Sequence, residues 1–288
     1  MDLLPIDGTF AREVRGVGLW EMANGDAVRE AFSEHPVLVF RRQALTEDEL
    51  IAFGRLLGGP EAYIERSWHS SKAEVSIVSN MRNALGDPVG GLASKELHWH
   101  TDQSYNADPV TGCFLYAQVV PEAGSRTSWA NLYGAYDALP DRLRQRLDGL
   151  VGIFSYAART GSVIRSADGQ TVNMSYAERI RATPDVAHPL VNVHPQTGRK
   201  SLYIDPGTVT GIVGMPEDEA RKLLEELRDV ATRSGNVYDH QWRVGDLVLW
   251  DNAVTLHRRD AFADDQNRLM KRMIIRLPAD THIVPAVA

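Results

Sequence analysis

Short apolar or alternating segments recur along the whole chain, and no regular strand–helix–strand beat connects them. Pro36–Phe40 is a compact apolar run, Glu74–Ser79 alternates with the period of a strand, and Thr111–Val120 is apolar and β-prone. Further short strands are expected at His188–His194, Lys200–Ile204, Gly245–Trp250 and Arg268–Leu277. Strands scattered in this way predict an antiparallel barrel or jelly roll carrying helical decorations, not a doubly wound parallel sheet.

The decorations can be placed. Residues 26–34 predict a short helix, and Thr46-Glu-Asp-Glu49 is a capping-box start for a second helix running to Leu57. Asn131–Ala138 and Pro140–Asp148 predict two more, and Pro216–Arg233 a longer one that opens on Pro-Glu-Asp-Glu. The stretch Asn83–Ser94, rich in Gly and small residues, predicts a long surface loop of the kind that often serves as an active-site lid. No repeat, low-complexity tract or Pro/Ser-rich linker divides the 288 residues, so one domain over 1–288 is expected.

Composition excludes several functions. With a formal net charge of −7 and no long Lys/Arg run, the chain has no electrostatic footprint for nucleic acid or an anionic membrane. An anionic substrate would have to be caught by a few local arginines. The single cysteine, Cys113, rules out an internal disulfide framework and a Cys-rich metal site. The start Met-Asp-Leu-Leu-Pro-Ile-Asp lacks the basic residues and apolar run of a signal peptide, and no apolar stretch approaches membrane-spanning length. A soluble, reduced, cytoplasmic protein is the expectation.

The chemistry concentrates in Glu96-Leu-His-Trp-His-Thr-Asp-Gln-Ser-Tyr105, where His98, His100 and Asp102 recur at a spacing of two. On an extended strand that spacing turns all three to one face. Two imidazoles and a carboxylate suit a first-row metal, and the 2-His-1-carboxylate arrangement leaves the open positions that an oxygen-activating iron needs. A lone H-x-D is nonetheless a weak signal and is often incidental. Three such ligands could also hold zinc for a hydrolase, or the fold could serve a non-catalytic binding protein.

Two further motifs lie downstream. Gly245-Asp-Leu-Val-Leu-Trp-Asp-Asn252 leads to His257, and Arg268 and Arg272 follow four residues apart. In this order, W-H-T-D, G-D-L-V-x-W-D-N-x-x-x-x-H and R-x-x-x-R resemble the TauD/TfdA family of Fe(II)/2-oxoglutarate-dependent dioxygenases. The resemblance covers roughly residues 36–277 and includes Pro121-Glu-Ala-Gly-Ser-Arg-Thr127, Ala135-Tyr-Asp-Ala-Leu139 and His188-Pro-Leu-Val-Asn-Val-His194. It implies a mostly β, cupin-like double-stranded β-helix. Within the single domain, residues 83–94 are expected to form an active-site loop and 128–187 a helical and loop insertion.

The resemblance also implies roles. His100, Asp102 and His257 match the iron ligands, and Fe(II), 2-oxoglutarate and O2 are the implied cofactor and cosubstrates. Thr127 and Arg268 match the pair that holds the distal carboxylate of 2-oxoglutarate, for which a planar guanidinium fork and a hydroxyl are well suited. Arg272 matches an arginine that binds the substrate's anionic group, so a small organic acid is the expected substrate. Because Asp102 is present, oxygen transfer is expected in place of halogenation, with succinate and CO2 released. A homo-oligomer is expected by the same analogy.

The remaining candidates carry bland readings beside the functional ones. Gln103, Tyr63 and Tyr105 are candidate substrate contacts, with Trp68 and Tyr156 as further aromatic lining, although an aromatic residue is more often packing. His98 is expected beside the metal ligands without being one, and Trp250, Asp251 and Asn252 are expected to buttress the strand that feeds His257. Arg276 shares the parity of Arg268 and Arg272 but carries no implied role. His188 and His194 match family positions of structural role, and His35, His69, His240 and His282 are expected to be surface or packing residues.

Overall fold

A computed structural model describes residues 1–6, 8–19, 25–61, 70–91, 94–158, 164–165, 171–172 and 183–288. In chain order the strands are β1 (Asp2–Pro5), β2 (Arg12–Arg15), β3 (Val37–Phe40), β4 (Ser76–Ser79), β5 (Leu97–His100), β6 (Gly112–Val119), β7 (Thr127–Asn131) and β8 (Val151–Phe154). They continue as β9 (Ile164–Arg165), β10 (Thr171–Val172), β11 (Val186–Pro189), β12 (Val191–Val193) and β13 (Lys200–Leu202). The last five are β14 (Val209–Ile212), β15 (Val237–His240), β16 (Leu247–Asp251), β17 (Thr255–Arg259) and β18 (Leu269–Ile275). The helices are α1 (Gly25–Glu34), α2 (Glu47–Leu57), α3 (Leu132–Asp137), α4 (Asp141–Leu147) and α5 (Glu217–Ala231). The protein is thus mostly sheet with few helices.

Two sheets carry the architecture. A seven-stranded sheet runs β1-β2-β3-β16-β6-β18-β4, and a four-stranded sheet runs β15-β7-β17-β5. Side-chain alternation explains why strands such as Leu247–Asp251 are apolar on both faces. Leu38, Phe40, Leu247 and Leu249 point to the outer side, where Phe32 of α1 and Leu50, Phe53 and Leu57 of α2 cover them. Val37, Val39, Val248 and Trp250 point inward and pack with Trp129 and Tyr238 of the smaller sheet. A strand buried on both faces reads as a continuous hydrophobic run.

Local chemistry fixes the helices. Thr46 caps α2 with both halves of the capping box, Glu49 N–H donating to Thr46 Oγ1 at 3.2 Å and Thr46 N–H donating to Glu49 Oε2 at 2.8 Å; such a cap contributes about 1 kcal/mol. Gly54 lets α2 approach the sheet, since a Cβ there would meet Met273 Sδ at 2.7 Å. The Asn131 side chain caps α3 by accepting from the N–H groups of Tyr133 and Gly134. In α5, Ala220, Leu223, Leu227 and Ala231 form one buried stripe at helical spacing.

Two expectations are corrected. The single strand expected over His188–His194 is two, because β11 pairs with β8 while β12 pairs with β13. Pro189, which has no N–H to give a ladder, ends the first of them, and the chain changes partner at Leu190. The insertion expected over 128–187 begins too early. Ser128 to Asn131 belong to β7, which is paired on both sides, and Trp129 on it is fully buried. Residues 92–93 of the expected 83–94 loop lie outside the described residues, as does part of 128–187; positions 82–88 form an exposed turn pinned by Asn83, whose side chain accepts from the N–H groups of Leu85 and Asp87.

Candidate metal centre and cosubstrate pocket

β17 lies between β7 and β5, and this pairing sets His257 directly opposite His100. Asp102 follows two residues after His100, at the start of the loop beyond β5. One ligand atom from each of His100, Asp102 and His257 lies within 4.8 Å of the other two. His257 Nε2 is 3.7 Å from Asp102 Oδ2, and the imidazole centroids of His100 and His257 are 4.1 Å apart. His257 is buried, while His100 and Asp102 are half-buried.

The donor set fits a divalent metal on a further ground. His100 Nδ1 lies 2.7 Å from the carbonyl oxygen of His98. A ring nitrogen facing a carbonyl carries the proton, which leaves the Nε2 lone pair for a ligand role. That contact also corrects the expectation for His98. Its side chain is 89% exposed and sits 3.8 Å from Glu96, so only its backbone reaches the centre. The cause is a register shift in the β17–β5 ladder between His257 and Arg259, where residues 98 and 99 together face residue 258. The extra residue breaks the simple alternation.

The Trp250 ring lies 5.1 Å from that of His257, and its N–H donates to Asn252 Oδ1 at 2.8 Å. The backbone carbonyl of Asn252 accepts from Thr101 Oγ1 at 2.7 Å, which ties the His257 strand to the residue between His100 and Asp102. Asp251 is buried, its carboxyl pushed up to about 8 by desolvation, with the N–H groups of Ala253 and Val254 opposing.

Arg268 is 1% exposed. Among the described residues, its Nε and Nη2 have no hydrogen-bond partner. Burial pushes its ionisation down to about 9, and neighbouring Arg259 adds to the effect. Arg259 itself is buried, pushed down to about 10, and sits across the ladder from Thr127. A buried cation beside a second buried cation calls for an anion. This demand suits the distal carboxylate of 2-oxoglutarate. Thr127 is also buried, and its Oγ1 accepts from Trp242 Nε1 at 2.9 Å. Sequence reasoning missed Arg259 and Trp242; the Arg258-Arg259 pair directly after His257 was the available signal for the first.

Arg272 Nη2 lies 2.7 Å from Asp102 Oδ2, and its Nε donates to Cys113 Sγ at 3.3 Å. The thiol of Cys113 is pushed up to about 12 by burial. Arg276 is drawn away from the centre, pairing with Glu61 and Asp108. In the loop after Asp102, Gln103 adopts a left-handed conformation (φ 58°), and its side-chain oxygen accepts from Asn106 Nδ2 at 3.1 Å. Tyr105 packs on Tyr156 with ring centroids 4.7 Å apart. Tyr63, Trp68 and His69 lie outside the described residues. Of the other histidines, His188, His194, His240 and His282 are buried, as packing residues would be.

A His-Asp-His cluster at the end of the smaller sheet, with ligand atoms within 4.8 Å of one another, is the arrangement of a metal-dependent enzyme. The sequence profile of the taurine catabolism dioxygenase TauD, TfdA family matches residues 2–274, and the chain belongs to that family. It is 35% identical over 283 residues to an alpha-ketoglutarate-dependent 2,4-dichlorophenoxyacetate dioxygenase of Cupriavidus pinatubonensis, covering 93% of this chain and 95% of that one. Identity to an (S)-phenoxypropionate/alpha-ketoglutarate-dioxygenase of Sphingobium herbicidovorans is 32% over 281 residues, covering 93% and 92%. A solved structure of AAD-2 in complex with Mn(II) and N-oxalylglycine superposes with a TM-score of 0.78 at 29% identity, covering 96% of this chain and 97% of that one. The protein is therefore an oxidoreductase of the Fe(II)/2-oxoglutarate-dependent dioxygenase class, which uses Fe(II), 2-oxoglutarate and O2. Family membership sets aside the zinc hydrolase and the non-catalytic binder. Among the described residues no helix is long and apolar enough to cross a membrane.

Proposed function

We propose that this enzyme oxidises, in the simplest case hydroxylates, a C–H bond of a small anionic organic molecule. The observation that carries the reading is the Arg272 guanidinium 2.7 Å from Asp102. It is a permanent cation beside the candidate metal ligands, in a chain whose net charge is −7 and whose overall field repels anions. His100, Asp102 and His257 would hold the iron. Thr127 and Arg268 would hold the distal carboxylate of 2-oxoglutarate. When bound, the pair couples oxidation of a substrate C–H bond by O2 to decarboxylation of 2-oxoglutarate into succinate and CO2.

The chain's own residues orient and shield. The His98 carbonyl fixes the tautomer of His100, and Trp250 packs against His257. Arg272, through a guanidinium with five donors, can serve Asp102 and a substrate anion together. Gln103 and Tyr105, on the loop directly after Asp102, would contact the substrate, and the 83–94 segment would border the pocket. The scaffold is read as a double-stranded β-helix (jelly roll, cupin-like), supported by the way β4 to β7 and again β15 to β18 alternate between the two sheets.

Two relatives are named for aryloxyalkanoates. A panel of aryloxyalkanoic acids, sulfonates, and amino or hydroxy acids, read by substrate-dependent succinate release, tests the proposal. Stimulation by anionic members and none by their methyl esters or amides is expected. Equal turnover of neutral analogues would remove the anion-directed reading.

A further inference from the structure

Thr127 carries a hydroxyl, which has one proton to donate and two lone pairs to accept with. Its Oγ1 already accepts the indole N–H of Trp242 at 2.9 Å, and both side chains are buried. An indole N–H is a donor only, so the two groups cannot exchange roles. With one lone pair committed to Trp242, the hydroxyl proton is turned away from it. Among the described residues, no acceptor takes that proton.

Trp242 is itself held in place. Its ring meets the His240 imidazole edge to face, with centroids 4.5 Å apart at 76°. His240 is clamped at both nitrogens, Nδ1 by the Tyr238 hydroxyl at 2.6 Å and Nε2 by Asp246 Oδ2 at 3.1 Å. The carboxylate of Asp246 offers acceptors only, so His240 Nε2 donates and Nδ1 accepts the Tyr238 proton. Arg41 closes the chain on Asp246 at 2.5 Å. The hydrogen bonds of this series have fixed directions, the ring contact between His240 and Trp242 joins them, and the series ends on Thr127.

We propose that Trp242 is a positioning residue for the cosubstrate, holding the Thr127 hydroxyl as a donor to the distal carboxylate of 2-oxoglutarate. The inference rests on the reading that Thr127 and Arg268 hold that carboxylate. The chemistry is complementary: Thr127 O–H with Arg268 Nε and Nη2 makes a set of donors only, and a carboxylate is an acceptor only. A hydroxyl free to rotate would spend part of its time presenting a lone pair to the anion. Trp242 excludes the rotamer whose proton would point at the indole, which narrows the hydroxyl's orientations before the ligand arrives and is preorganisation at a distance from the reacting atoms.

The experiment compares 2-oxoglutarate with pyruvate, which has the same 2-oxo acid head and no distal carboxylate. Each is titrated calorimetrically into anaerobic Fe(II)-loaded protein. Trp242→Phe is expected to weaken 2-oxoglutarate about 3- to 10-fold, the range for one neutral hydrogen bond, and to leave pyruvate unchanged. On a Thr127→Val background the same substitution is expected to add nothing. Equal weakening of both ligands would reduce Trp242 to general packing and overturn the proposal. Unchanged 2-oxoglutarate binding in Trp242→Phe, while Arg268→Met weakens it, would overturn the proposal alone. If neither Arg268→Met nor Thr127→Val separates 2-oxoglutarate from pyruvate, the pocket reading fails and the proposal goes with it. Should Trp242→Phe not fold, the indole 15N–1H resonance of Trp242 in Zn(II)-loaded protein, identified by its shift in Thr127→Val, gives the answer. It is expected to move with 2-oxoglutarate and not with pyruvate, and an unmoved resonance overturns the proposal.

Discussion

Arg272 Nη2 and Asp102 Oδ2 are 2.7 Å apart, which joins β18 of the larger sheet to the loop that leaves β5 of the smaller one. The pair bridges the two sheets at the candidate centre. It also means that the arginine expected to clamp substrate is oriented by a candidate metal ligand, so the two functions are coupled.

Arg272→Ala is expected to weaken anionic substrate about 10- to 150-fold, the cost of losing a hydrogen bond to a charged group. Arg272→Lys should recover only part of this, because an ammonium cannot reproduce the planar fork. Substrate KM measured at saturating 2-oxoglutarate checks both. Unchanged affinity for the true substrate would remove the clamp.

Arg268→Met is expected to raise the unfolding midpoint of the metal-free protein while abolishing its stabilisation by 2-oxoglutarate. The wild-type guanidinium is driven down to about 9 by burial, with the Arg259 charge adding to it. For a base with a depressed folded value, the cost of the cation is fully present below pH 9 and is relieved only as pH climbs beyond it. Methionine removes that cost, on the order of 1 kcal/mol or more. Urea unfolding with and without 2-oxoglutarate at pH 7.5 provides the check, and a less stable Met variant would show the arginine to be satisfied within the fold.

His282 gives a pH dependence unconnected to the metal. Burial chiefly, helped by His194 and opposed by Asp280, pushes it from 6.5 down to about 4. The unfolded chain therefore takes up a proton that the folded chain refuses. No penalty exists above pH 6.5; it grows as pH falls from 6.5 to 4 and is complete below 4. The wild type should lose about 2–3 kcal/mol of stability between pH 7 and pH 4.5 from this residue alone. Denaturant midpoints of the wild type and His282→Leu at those two pH values test this. Parallel losses in the two proteins would contradict it.

The strands that could be read from the sequence are those buried on both faces, such as Val37–Phe40 and Leu247–Asp251, where packing on each side demands apolar residues. The capped helix at Thr46 was equally legible, because the capping box is local chemistry. Thr255–Arg259 was not readable as a strand. It carries His257 and Arg259 for the site, so function overrides its β pattern. The outward turn of the His98 side chain is not legible for a related reason, since a register shift against a distant strand has no signature in the segment itself. The proposed ligands His100, Asp102 and His257 could be picked out only through ordered motifs far apart in the chain. The contacts of Trp242 and Arg259 belong to the folded state alone.

The most direct test is an anaerobic titration of Fe(II) and 2-oxoglutarate into the wild type and Asp102→Ala. The wild type should develop a weak visible charge-transfer band that saturates with one 2-oxoglutarate per iron, and in air it should release succinate in an iron-dependent manner. Asp102→Ala should lose iron-dependent turnover of 2-oxoglutarate. Retained turnover in that variant, or no band in the wild type, would contradict an iron centre built on His100, Asp102 and His257.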